Sequence, residues 1–193
     1  MLRSLILVCL LGLLAACSTP SVESTKNDPT VQKVAYKHNT PASVSLITIF
    51  ANDTGHGGHS AIVVNGSQRV IFDPAGSYRS DDAVRRYDVV YGVTPRILQQ
   101  YLSYHARETH HALIQEIVVP AEVAERMLNK AMTSGLVLSG LCTTATAAIL
   151  RSDPYFSSVQ STLSPRRFAE NFGKLPGVKK SRYYENDEGQ NVN

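Results

Sequence analysis

Tryptophan is absent from this 193-residue chain and cysteine is scarce. Two of the three cysteines, Cys9 and Cys17, fall in the first 17 residues, so the body of the chain holds one, Cys142. No disulfide can form within that body, and no tight cysteine cluster with zinc spacing is present. Long apolar runs are missing too: residues 5–14 are apolar but too few to cross a bilayer comfortably. The net charge is only +3, and the basic pairs at Arg85 and Arg86, Arg166 and Arg167, and Lys179 and Lys180 are isolated, with no interleaved aromatics. Such pairs read as solvated surface charge and give no nucleic-acid footprint. No internal repeat is visible.

The first 17 residues read as an export signal, with Arg3 before the apolar core and Leu14, Ala15, Ala16 and Cys17 at its end. Those last four resemble a bacterial lipobox. The resemblance implies cleavage before Cys17 and acylation of its thiol and new amino group, with membrane lipid as the partner. Ser18 rather than Asp follows the cysteine, a pattern that in Gram-negative lipoproteins implies the outer membrane, facing the periplasm. An ordinary secretory signal or an uncleaved anchor is the alternative. Residues 18–41 are polar and aperiodic and are expected to be a flexible tether. Residues 42–184 have the size of one domain, large enough to bury a core without disulfides. Residues 185–193 form a polar tail. With Cys17 lipidated in an oxidising envelope, Cys142 has no partner and is either buried and inert or kept for its reactivity.

Along the domain, VSLITIF at 44–50 predicts a strand. The Gly-rich loop 51–58 and two short apolar runs, 60–64 and 69–73, follow, with Asn65 and Gly66 signalling a hairpin between the runs. The register of that hairpin decides where Asp73 points. A three-residue loop, 65–67, puts His59 opposite Asp73 on one face, whereas a two- or four-residue loop turns Asp73 away. The first register is preferred because it gives the imidazole a carboxylate. Residues 77–93 read as a surface loop or lid that contains a short run, 87–90, compatible with extended structure. Thr94 and Pro95 open a helix with Ile97, Leu98, Tyr101, Leu102 and His105 on one face. His105 reads there as a partly buried histidine at a helix end that suits a cation, not as a catalytic group. A strand at 112–119, a helix at 121–132, and a last helix opened by Ser164 and Pro165 and ended by Gly173 complete an α+β domain, a small antiparallel sheet with packed helices.

Between those last two helices lies SGLCTTATAAIL at 139–150, which reads as a helix capped by Ser139 with Cys142 at its start. Leu141, Ala145, Ala148 and Ile149 share a face at helical spacing. A thiol at a helix N-terminus meets free N–H groups and the positive dipole end, both of which favour thiolate. A cysteine nucleophile also needs a base, an orienting group and oxyanion donors. Cys142, His59 and Asp73 are the candidates for nucleophile, base and orienting group. The Cys142 N–H is a natural oxyanion donor, and Tyr78 or Thr143 is a candidate for the second.

His at the head of a strand in HSAIVVN, then RVIFDPAG, then Cys at the head of a helix in GLCTTATAAIL resembles the circularly permuted papain-like domain of the NlpC-type superfamily. The branch in question includes lecithin–retinol acyltransferase-like proteins and envelope lipoproteins of the YaeF/YiiX kind. In that branch the histidine strand precedes the cysteine helix, as here. The resemblance implies nucleophile Cys142, base His59 and orienting residue Asp73, and no cofactor. It also implies action on peptidoglycan amides or on acyl esters and thioesters. Two other readings stand beside it: a binding lipoprotein that keeps the fold without catalysis, and a metal site built from His56 and His59 with His110, His111 or Cys142.

Overall fold

A computed structural model describes residue 25 and residues 27–185 of the chain. The expected leader with Cys9 and Cys17, the start of the expected tether and the tail from 186 onward lie outside the described residues. Seven strands form one antiparallel sheet: β1 (Ser43–Ala51), β2 (Gly57–Asn65), β3 (Arg69–Phe72), β4 (Val84–Arg86), β5 (Val89–Tyr91), β6 (His110–Val118) and β7 (Lys179–Tyr184). Their order across the sheet is β4-β5-β3-β2-β1-β6-β7. Five helices pack on it among the described residues: α1 (Pro29–Val34), α2 (Pro95–Ala106), α3 (Ala121–Met132), α4 (Cys142–Arg151) and α5 (Pro165–Phe172). The domain is α+β, as its pattern of runs predicts.

β1 lies near the centre of the sheet and is apolar on both faces for a reason. One face, with Val44 and Leu46, meets α3, α4 and α5; the other, with Ile47 and Ile49, meets α2. Strand alternation sends His59, Ala61 and Val63 of β2 to the α2 face and Ser60, Ile62 and Val64 to the other. The helix caps are as the sequence predicts: Thr94 accepts from the Ile97 N–H, Ser164 accepts from the Arg167 N–H, and Gly173 closes α5.

The hairpin has a three-residue connection, but it is residues 66–68, because Asn65 pairs with Arg69 and Ile62 with Phe72. The expected register is therefore two residues out, and His59 does not lie directly opposite Asp73. The cause is local. The Asn65 side-chain amide is tied to Thr40 and the Pro41 carbonyl, and Arg69 Nε donates to the Val93 carbonyl, so both residues are held in the ladder. A shift of two keeps the parity, so His59 and Asp73 still project from the same face.

Three other expectations are corrected, and one strand was not anticipated. The supposed tether is ordered from residue 27: Asp28 caps α1 and pairs with Arg86, and Val31 is buried in the core. The supposed lid at 77–93 contributes β4 and β5 to the sheet, with Val89, Val90 and Tyr91 buried. The charged, exposed segment KKSRYY adds an edge strand, β7, on β6. The inner face of α4 is Cys142, Thr146, Ala147, Ile149 and Leu150, while Leu141 and Ala148 face outward. A helix of small residues has too little contrast for periodicity to orient it.

Candidate active site

Cys142, His59 and Asp73 meet at one end of the sheet. Asp73 follows the last residue of β3, His59 is the third residue of β2, and Cys142 is the first residue of α4. The pairing of β1 with β2 slips by one residue between Ile49 and Phe50, leaving Gly58 without a partner directly before His59. Irregularities of this kind re-aim the next side chain. Gly57 is a glycine because α5 passes against it: a Cβ there would lie 2.6 Å from the Arg166 nitrogen.

His59 Nε2 lies 2.7 Å from Asp73 Oδ1. The Cys142 side chain lies near enough to the ring to interact with it, and with Nε2 committed to the carboxylate, Nδ1 is the nitrogen left for the sulfur. Asp73 is 0 % exposed. A buried carboxylate is tolerable only with several donors, and it has them. Tyr101 OH donates to Oδ1 at 2.8 Å, and Arg85 Nη1 donates to Oδ2 at 2.8 Å. Burial pushes the Asp73 carboxyl up, but the hydrogen bonds and charges of His59, Arg85 and Tyr101 outweigh it and hold the group well below the usual carboxylate range.

The anion fixes the charge of the base. Burial pulls the His59 pKa down, yet hydrogen bonds to Asp73 and Cys142 and their charges raise it to about 9. Burial pushes the Cys142 thiol up, but the His59 hydrogen bond and charge, the Thr143 hydroxyl and the Ser60 backbone N–H bring it down to about 7. Between those two values a thiolate faces an imidazolium, the nucleophilic form of such a pair. Thr143 Oγ1 is 3.7 Å from the sulfur.

Ser139 does not cap α4. The N-cap residue is Leu141, which makes no side-chain cap hydrogen bond, and Gly140 takes a positive φ of 82° that turns the chain into the helix. The first N–H groups of a helix have no intrahelical partner, and the Cys142 N–H stands at that position, beside its own sulfur. Tyr78, with Thr143 one of the two candidates for a second oxyanion donor, is enclosed edge-on by Tyr101 and Tyr104 in the α2 core.

Three contributors escaped the sequence reading. Arg85 was expected as solvated charge and is instead buried on Asp73. Tyr101 was expected only as core. His105, one turn on from Tyr101, stacks on the His59 ring at 5.5 Å, and its Nδ1–H donates to the Tyr101 carbonyl. The helical spacing of Tyr101 and His105 was the signal: one face of α2 presents both to the strand that carries His59.

The expected metal set does not converge. His110 pairs with Thr109, and His111 pairs with Asn52 and stacks between Phe50 and Tyr184. Among the described residues, His59, Asp73 and His105 are the group with ligand atoms close enough to share an ion, within 4.8 Å of one another. Their atoms are already used: the two rings are stacked rather than convergent, and the Asp73 carboxylate already carries a guanidinium. The donor set fits a hydrogen-bonded relay, not a cation site. Comparison with known proteins returns nothing: no family model, no curated protein and no solved structure matches this chain.

Proposed function

We propose that this protein is a thiol hydrolase or acyltransferase of the circularly permuted papain-like type, in which Cys142 is the nucleophile, His59 the acid–base and Asp73 the orienting residue. One observation carries the reading: His59 stands between the Cys142 side chain, whose thiol it draws down, and a buried Asp73 that is hydrogen-bonded to His59, Arg85 and Tyr101. Structural cysteines in apolar cores have raised, not lowered, pKa values.

The chemistry follows from the geometry. The Cys142 thiolate adds to the carbonyl carbon of an ester, thioester or amide, and the oxyanion forms beside the N–H at the head of α4. The tetrahedral adduct collapses to a thioester, and the leaving alcohol, thiol or amine departs with the proton of the His59 imidazolium. His59, now neutral, takes a proton from the second nucleophile, which releases the acyl group and restores the thiolate. Water as that nucleophile makes a hydrolase, and another acceptor makes an acyltransferase. Asp73 stays ionised throughout and fixes the ring. No step calls for a cofactor.

Cys17 at the end of an apolar leader supports an acylated anchor and an envelope location, at the outer membrane facing the periplasm. No described helix is long and apolar enough to cross a membrane, so on this reading the lipid is the anchor. The substrate is then a peptidoglycan peptide amide or an acyl donor.

The experiment is alkylation of Cys142 as a function of pH, with His59→Ala beside the wild type, followed by turnover of wall peptides and acyl esters. A labelling midpoint near pH 7 that is lost in His59→Ala, with turnover lost in Cys142→Ser, supports the proposal. A thiol that titrates at or above its ordinary value, about 8.5, in both proteins defeats it and favours a binding lipoprotein.

A further inference from the structure

Arg85 stands on the edge strand β4, where a basic residue is normally solvated, yet its side chain is only 11 % exposed. Every donor of its guanidinium faces an acceptor. Nη1 reaches Asp73 Oδ2 at 2.8 Å and the Tyr78 carbonyl at 3.5 Å; Nη2 reaches Asp88 Oδ1 at 3.1 Å, the Gly76 carbonyl at 3.1 Å and the Asp73 carbonyl at 3.3 Å; Nε reaches the Tyr87 carbonyl at 2.9 Å. Asp73 belongs to the candidate active site. Asp88 does not, and its burial calls for a reason.

Its second oxygen gives one. Asp88 Oδ2 accepts from the Ala75 N–H at 3.2 Å and from the Val137 N–H at 2.7 Å. Val137 lies in 133–141, the irregular segment that runs into α4 and ends beside Cys142. This segment has no regular ladder of its own, so a buried carboxylate on one of its N–H groups is a strong local constraint. The two carboxylates are also tied through the backbone, the Asp73 N–H donating to the Asp88 carbonyl at 2.7 Å.

We propose that Arg85 is a positioning residue that aligns both halves of the Cys142–His59 pair at once: through Asp73 it holds the imidazole, and through Asp88 it holds the segment that delivers the sulfur. The inference rests on the proposed function. A guanidinium is required because five N–H donors in a rigid plane can serve two carboxylates and several backbone carbonyls simultaneously. An ammonium has the charge but not the reach in several directions.

The test is the pH dependence of iodoacetamide labelling at Cys142, read on the Cys142 peptide by mass spectrometry in the full-length chain. Arg85→Gln and Asp88→Asn are each expected to raise the labelling midpoint by about one unit, a roughly tenfold slower reaction at pH 6. Arg85→Lys is expected not to restore it, and the double variant is expected to be no worse than the worse single, since both cut the same link. An unchanged midpoint in either single variant, additive shifts in the double, or a wild-type midpoint in Arg85→Lys overturns the proposal. If Arg85→Gln does not fold, Asp88→Asn, which keeps an acceptor for Val137 and loses only the ion pair, decides the question. A wild-type midpoint near 7 with unmoved variants sinks this inference alone; an ordinary wild-type thiol sinks the proposed function and takes this inference with it.

Discussion

His105 lies flat on His59, with ring centroids 5.5 Å apart and planes within 6° of parallel. The pKa values of the two imidazoles are pushed in opposite directions. Burial pulls the His105 pKa down, and the charges of His59 and Arg107 add to that, against the Tyr101 carbonyl and Asp73. His59 is raised to about 9 by Asp73 and Cys142. Two stacked imidazolium ions would repel, so the neutral ring is the one that can cover a charged partner. Its Nδ1–H is spent on the Tyr101 carbonyl, which fixes the tautomer as well as the ring plane.

The cover is separable from the chemistry. His105→Phe keeps an aromatic face and is expected to leave Cys142 labelling within about twofold of wild type. His105→Ala removes the face and is expected to slow labelling about threefold to tenfold at pH 6.5, on the scale of one aromatic contact of about 0.5–1.5 kcal/mol. Labelling rates of both variants decide this; equal rates in Phe and Ala variants refute the role of the stack.

The charge state of the pair gives the second expectation. In the wild type, labelling of Cys142 rises through about pH 7 and is level above it, because the thiolate is stabilised by the imidazolium up to about pH 9. His59→Ala removes the hydrogen bond and the charge that lower the thiol and leaves the burial that raises it. The midpoint is then expected above the ordinary thiol value of about 8.5. Labelling followed from pH 5 to pH 10 in both proteins tests it, and coincident curves would count against any coupling between the two residues.

Much of this arrangement was legible because it is made by strong local signals. Thr94 and Pro95, Ser164 and Pro165, and the β-branched run at 44–50 each act over a few residues and fold as they read. The face shared by His59 and Asp73 followed from preferring a three-residue loop so that the imidazole gains a carboxylate, and strand parity kept that face although the register differs. The register is set by Asn65 bonding to Thr40 and Pro41, some 25 residues away in the chain. Arg85 and Asp88 were illegible for a related reason. Charge in a short segment reads as solvated unless its counter-charge is known, and here Asp73 arrives from another strand. β7 was hidden by its composition: only Tyr183 of KKSRYY is buried, and an edge strand needs no more.

Tyr101 supplies the third expectation. It is fully buried, and its hydroxyl donates to Asp73 Oδ1. Burial and the adjacent carboxylate push its own pKa well above the usual value, so it is a neutral donor at every working pH. Tyr101→Phe fills the same space and removes one donor from a buried anion. The expected loss is about 1–3 kcal/mol in urea unfolding, with labelling of Cys142 slowed less than in Asp73→Asn. A Tyr101→Phe protein as stable as wild type would show that the hydroxyl is not needed by the carboxylate.

Asp73 also sets a response to acid. Its folded pKa lies well below the ordinary carboxylate value of 3.8. A depressed acid stabilises the fold fully above the unfolded pKa and loses that contribution as pH falls through the folded one. The wild type is therefore expected to lose stability steadily below about pH 4. Asp73→Asn, which has no proton to take up at this site, is expected to be less stable at pH 7 and to show a shallower decline. Urea midpoints at pH 7, 4 and 3 measure both slopes, and parallel slopes would contradict the ionised, paired state of the carboxylate.

Gly76 offers the sharpest single-atom test of how Asp73 is held. Its N–H donates to the Asp73 carbonyl at 3.0 Å and closes the turn after β3, while its own carbonyl accepts from Arg85. A Cβ built on Gly76 would overlap the Asp73 carboxylate itself. The glycine is required here for space rather than for an unusual backbone angle, since its φ is not positive. Gly76→Ala must therefore push the carboxylate off its donors or open the turn. Either way the imidazole loses its orienting partner, and overpacking of this kind costs about 1–3 kcal/mol. The expected result is labelling of Cys142 as slow as in Asp73→Asn, although the substitution adds only a methyl group and removes no charge. Gly135→Ala is the control, because a Cβ there meets nothing within 4 Å, and it is expected to label like wild type. Wild-type labelling in Gly76→Ala would mean that the position of the carboxylate, as distinct from its charge, does not activate the thiol.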